Sequence, residues 1–171
     1  MWPKKLIMKQ ISFLCLSLLA LADGIKVRPA LTCPANYIPT PLSTTTCIRF
    51  LNETKSFGAA RAACQADGGD LLRLNSGNFE QIRQRADLNK GSGPCDFWVG
   101  AKEGNTDGIW SYLNGDPLSA SSFFNPMTNT VGDGANACGQ LSSNDGYYLN
   151  DGGAGCVGPK CSICQANRSI G

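Results

Sequence analysis

The chain of 171 residues contains no histidine. That absence excludes a Ser-His-Asp or Cys-His nucleophilic site. It also leaves Cys161-x-x-Cys164 as a lone pair with ligand spacing, without the second pair or imidazoles that a structural zinc site needs. Runs of Lys or Arg are missing too, and charges of both signs are scattered, so nothing resembles the electrostatic footprint of a phosphate-backbone binder. Nucleic acid is therefore not an expected partner. No apolar run after Leu21 is long enough to anchor the chain in a bilayer, which needs roughly 20 residues. There is no internal repeat, low-complexity linker, heptad pattern or collagen-like repeat, hence no encoded multimerising stalk.

What is present begins with an export pattern. Lys4, Lys5 and Lys9 precede an apolar run from Ile11 to Leu21, with Ala20 and Ala22 in an Ala-x-Ala arrangement. This predicts a signal peptide over 1–22 and a secreted, extracellular product. The competing reading, a membrane span, is disfavoured by a run about half the required length and by Asp23-Gly24 directly after it. Cleavage after Ala22 would leave 12 Lys plus Arg against 13 Asp plus Glu, so the basic balance of the full chain belongs to the leader. The remaining 149 residues make one domain's worth of core.

Cys15 lies in the leader, and the other eight cysteines are Cys33, Cys47, Cys64, Cys95, Cys138, Cys156, Cys161 and Cys164. An even number in an exported chain predicts four disulfides, although spacing alone leaves the connectivity open. Asn52-Glu53-Thr54 and Asn167-Arg168-Ser169 are N-glycosylation sequons, which makes Asn52 and Asn167 candidate glycan carriers.

The pattern along the chain predicts a short lead over 23–32 and a hairpin between Cys33 and Phe50. Phe57, Ala60, Ala63 and Cys64 recur at helical spacing and stop at Gly68-Gly69. A second helix starts near Ser76 or Asn78, carries Phe79, Ile82 and Ala86 on one face, and stops at Gly91. Strands are predicted at Phe97–Ala101, Cys138–Leu141, Tyr147–Asn150 and Ser162–Ala166, with Asn144-Asp145-Gly146 as a tight hairpin turn between two of them. Between Asn114 and Ala137 lies a long stretch rich in Gly, Asn, Ser and Pro, of the kind that carries function in a compact domain.

In this order, several motifs resemble the C-type lectin-like family. Phe97-Trp98-Val99-Gly100-Ala101 is similar to its Trp-Ile-Gly-Leu strand. Gly108-Ile109-Trp110-Ser111-Tyr112 with Asn114-Gly115-Asp116-Pro117 is similar to its second aromatic strand and turn, and Phe57 to Ser76 to its first helix and the start of the second. The resemblance spans roughly Cys33 to Gln165. It implies an α+β fold of two helices flanking small antiparallel sheets with a long loop region, a domain over 33–166 and a tail over 167–171. It also implies the pairs Cys33–Cys47, Cys64–Cys164, Cys138–Cys156 and Cys95–Cys161.

For function, the resemblance implies glycan binding, and recognition of foreign glycans in innate immunity. Sugar-binding members hold calcium in the long loop and let sugar hydroxyls complete its shell of six to eight oxygens. Leu149-Asn150-Asp151 stands where the family has Trp-Asn-Asp, keeping the amide and carboxylate. The same Asn-Asp-Gly run is also an ordinary turn signal. The other half of the site is depleted: Asn125-Pro126-Met127 replaces Glu-Pro-Asn, and Asn136 stands where a glutamate precedes the cysteine by two. A thioether is a poor calcium ligand, so Asn129 or Asp133 would have to lie nearer the ion. The expected ion set is therefore Asn125, Asp133, Asn136, Asn150 and Asp151, and the expected ligand set Asn129, Tyr148, Asn150 and Asp151. With so few carboxylates the reading predicts a weak calcium site or none, and no zinc. The alternative partner is a protein or other non-sugar ligand of the long loop. Phe123, Phe124, Asn129, Tyr147 and Tyr148 read either as an aromatic and amide recognition surface or, as the expectation has it, with the Phe residues in the core and the Tyr residues alternating in and out of a strand. Catalysis is not expected, although composition leaves a glycosidase-type carboxylate pair open.

Overall fold

The computed structural model describes residues 30–40, 43–127 and 136–170, and the compact unit begins at Leu31. The predicted leader, Asn129 and Asp133 lie outside the described residues. In chain order the elements are β1 (Leu31–Thr32), β2 (Ile38–Pro39), β3 (Thr46–Lys55), α1 (Phe57–Ala66), β4 (Asp70–Leu71) and α2 (Phe79–Leu88). They continue with β5 (Phe97–Glu103), β6 (Trp110–Tyr112), β7 (Pro117–Leu118), β8 (Ala137–Ser142), β9 (Tyr148–Ala154), β10 (Lys160–Asn167) and β11 (Ser169–Ile170).

Helix α1 forms where the sequence places small and apolar residues one turn apart, with Ser56 at its N-cap accepting a hydrogen bond from the Ala59 amide. Its Phe57, Ala60 and Cys64 face the core. Helix α2 starts at Phe79, after an Asn75–Asn78 turn. Asn75 Oδ1 accepts the amides of Gly77 and Asn78, and Asn78 Oδ1 accepts that of Asn75.

The two longest strands, β3 and β10, pair antiparallel and carry the centre of the sheet. β10 also meets β5 in parallel, with Cys161 opposite Phe97 and Ser162 opposite Trp98, which departs from the all-antiparallel expectation. The Cys95–Cys161 bridge closes the same end of this pair, just before β5 and at the start of β10. From β5 the sheet continues to β8 and then β9 on one side and to β6 and β7 on the other. Trp98 is fully buried against α1, its ring edge-to-face with Phe57, while Phe97 and Val99 point into the second core layer with Ile82 and Leu141. That alternation is the period-two pattern of a strand buried on both faces.

Four disulfides, Cys33–Cys47, Cys64–Cys164, Cys95–Cys161 and Cys138–Cys156, are the pairs that the resemblance implies. Three boundaries differ from the sequence expectation. The segments read as lead and tail pair with each other, Leu31 with Ile170 and Thr32 with Ser169. β5 continues past Ala101 to Glu103, held by β6. The β8–β9 connection is not a two-residue turn. Ser143–Asp145 form a single 3-10 turn, and Gly146 and Tyr147 both take the left-handed region, closed by the Tyr147 amide donating to the Ser142 carbonyl. β9 consequently begins at Tyr148 and not at Tyr147.

Candidate functional site

β9 carries Tyr148, Asn150 and Asp151 of the expected ligand set. Its pairing with β8 sets Tyr148 opposite Ser142, Asn150 opposite Gln140 and Asp151 opposite Gly139. Leu149, between the first two, is buried in the core, and strand alternation places half-exposed Tyr148 and Asn150 on one face. The Tyr148 ring is held in place by the Arg83 guanidinium, 3.8 Å from its centroid, while Arg83 also donates to the Gly146 carbonyl and pairs with Glu80. One face of that ring is thus covered by α2. Gln140 Nε2 donates to the Asp151 carbonyl at 2.9 Å, leaving Gln140 Oε1 buried without a partner.

The long loop folds back on this strand through its aromatics. Phe123 and Phe124 are buried, Phe123 against Phe79 and Phe124 against Trp110, and the Phe123 carbonyl accepts the Leu149 amide at 2.9 Å. Tyr147 is buried too, so these three side chains are core, as expected, and offer no recognition surface. Asn125, which follows them, donates from Nδ2 to Asp145 Oδ1 at 2.7 Å and accepts the Met127 amide on its own Oδ1. Its amide is spent on bracing the loop against the β8–β9 turn. Asn136 takes a left-handed backbone and is pinned through its main chain, donating to the Gly104 carbonyl and accepting from Gly155. Met127, at 92% exposure, is the most open large apolar side chain among the described residues.

The sequence reading overlooked Glu103. Only 2% exposed at the end of β5, it accepts the Gly108 amide on Oε1, and its Oε2 has no hydrogen-bond donor. Burial pushes its carboxyl above the usual carboxylate range. The Gly108 amide opposes that rise, and the nearby carboxylates of Asp107 and Asp151 add to it. The signal for this cluster is Glu103-x-x-x-Asp107-Gly108, one acid ending the strand and the other inside the turn after it; Asp151 joins them only because β8 and β9 register beside β5.

A calcium ion of the implied kind needs a ring of oxygens that are free to turn inward. Among the described residues no three Asp, Glu, His or Cys side chains come together in a way that could hold a metal ion. Of the expected donors, Asn125 is committed to Asp145, and Asp151 lies within electrostatic reach of buried Glu103. Of the expected set, Asn125 is thus turned toward the β8–β9 turn, and Asp133 lies outside the described residues.

Comparison with known proteins agrees with this architecture. Human C-type lectin domain family 17, member A, is 31% identical over 96 residues, which is 56% of this chain and 23% of that protein, so the chain spans about a quarter of its relative's length. The carbohydrate-recognition domain of cow CD23, solved in the presence of a GlcNAc2Man3 oligosaccharide, superposes with a TM-score of 0.61 at 23% identity, covering 81% of this chain and 98% of that one. A calcium-independent type II antifreeze protein superposes with a TM-score of 0.62 at 20% identity, covering 82% and 98%. One fold thus accommodates a sugar-associated domain and a calcium-independent one. The family profile of the lectin C-type domain matches residues 53–166, two thirds of the sequence, and the chain belongs to that family.

Proposed function

We propose that the protein is exported and binds carbohydrate through the β9 face and the adjoining loop, with calcium contributing little, and that its role is recognition of foreign glycans. The observation that carries the reading is the placement of Tyr148 and Asn150 side by side on β9, Tyr148 held rigid by Arg83, with Gln140 across the strand pair. A fixed aromatic edge beside amides suits a polyhydroxylated ligand, which needs donors and acceptors at set spacing and a flat surface for its C–H groups. The low calcium contribution is supported by the commitment of Asn125 to Asp145. The eight paired cysteines, the Ala-x-Ala leader and the sequons at Asn52 and Asn167 support export and glycosylation.

Exposed Met127 favours a second reading, in which the loop meets an apolar patch on a protein. The test is a broad glycan panel probed with the secreted protein and with Asn150→Ala. Saturable binding to a sugar class that drops at least tenfold in the variant supports the proposal. Absence of binding from folded protein contradicts it and turns the search to protein partners.

A further inference from the structure

On a different part of the domain, a groove of about 380 Å³ lies among Thr40, Ser43 and Thr46, the turn before α2 and the end of β10. Its walls include Thr40, Ser43, Arg73, Asn75 and Gln165, and no carboxylate lines it among the described residues. The hydrogen bonds behind the wall fix which way its amides face. Gln165 Oε1 accepts the Arg73 backbone amide at 2.9 Å, and Asn75 Oδ1 accepts those of Gly77 and Asn78 at 2.9 and 3.0 Å. Both amide oxygens are consumed by the main chain, which leaves the NH2 groups of Asn75 and Gln165 as the free ends.

The Arg73 guanidinium adds charge and is held flat. It stacks over the Tyr112 ring at 3.9 Å and reaches Asp116 through Nη1 at 2.7 Å, with its other nitrogens still available as donors. Behind Ser43, Arg168 Nη2 donates to the Ser43 carbonyl at 3.4 Å, while Arg168 Nε has no partner. Thr40, 2% exposed on the groove wall, keeps a buried Oγ1 without any partner. A buried hydroxyl left in this state is destabilising, and a bound acceptor would relieve it.

We propose that this groove is a second binding site that takes an oxyanion, the sulfate ester or carboxylate of an acidic ligand. A donor-rich wall, whose guanidinium is preorganised by Tyr112 and Asp116 and keeps further N–H groups to give, favours acceptor-only groups. The site is independent of the β9 face and stands or falls separately from the glycan reading above.

The test is titration of the 15N-labelled protein with sodium sulfate, against sodium chloride at matched ionic strength. Saturable sulfate-specific shifts at the side-chain NH2 groups of Asn75 and Gln165 are expected. Gln165→Glu keeps the acceptor for the Arg73 amide but faces the groove with a carboxylate, and should weaken sulfate binding at least tenfold. Thr40→Val should weaken it several-fold without lowering the thermal midpoint. Parallel titrations with a sulfated disaccharide and with a uronic acid, each against its neutral counterpart, identify which oxyanion is preferred. Sulfate shifts no larger than those of chloride, or unchanged affinity in folded Gln165→Glu, would overturn the proposal.

Discussion

The β3–β10–α1 side of the domain and the β8–β9 loop side are built by different means. On the first, a ten-residue and an eight-residue strand pair along most of their lengths, and Cys64–Cys164 joins residues 100 apart within a cluster of fully buried side chains. On the second, the connections are short turns. Asn136, Tyr147 and Cys156 take positive φ without being glycine, and local side-chain bonds such as Asn125 to Asp145 hold the path. Apolar burial and chain closure stabilise one side, while backbone turns and polar contacts shape the other. The second can therefore change its ligand chemistry without disturbing the first.

The largest effect should come from the first side. Replacing Cys64 and Cys164 together by alanine is expected to cost about 4–5 kcal/mol, against about 3 kcal/mol for Cys138 and Cys156, whose bridge spans only 18 residues. Denaturant unfolding of the two double variants measures the difference, and equal losses would erase the contrast. Next is Gly152→Ala, at the seam between the two sides, where a Cβ would collide with the fully buried Trp98 ring and the Cys138 carbonyl. A destabilisation of about 2–3 kcal/mol is expected in the same assay.

Glu103→Gln should act in the opposite direction, raising stability by about 1 kcal/mol at pH 7, because a neutral amide removes a buried charge next to Asp107 and Asp151. The folded state holds the Glu103 proton more tightly than the unfolded chain does. Its contribution is therefore fully present below the unfolded carboxylate pKa of about 4.3, and is lost as pH rises through the raised folded value. The gain from Gln should accordingly vanish near pH 4, which melting curves across that range would show. The smallest effect is that of Asn125→Ala, about 0.5–1.5 kcal/mol, read as faster amide exchange confined to the Ser143–Tyr148 turn.

The same contrast explains what could be read from the sequence. Helical spacing from Phe57 to Cys64 and the alternation around Trp98 report burial, and burial is what hydrophobic patterning records; both elements lie where the pattern puts them. The β8–β9 connection was misread as a tight hairpin because its path depends on two consecutive left-handed residues, and Tyr147 gives no sign of being one. Glu103 was overlooked for a related reason. Its neighbour Asp151 is 48 positions away and meets it only through strand register, to which composition and local spacing are blind. Asn150 and Asp151 stand out as a candidate pair because they are adjacent in sequence, whereas the use of Asn125 by Asp145 needs the fold to become visible.

On the proposed reading, sugar recognition rests on the β9 face itself and not on a calcium ion. Its most direct test is calorimetric titration of the best glycan from the panel, in calcium and again in excess chelator. Affinities within about threefold of each other are expected, a difference below about 1 kcal/mol. A loss of about a hundredfold or more in chelator, with the protein still folded, would contradict it and place the ion at the centre of recognition.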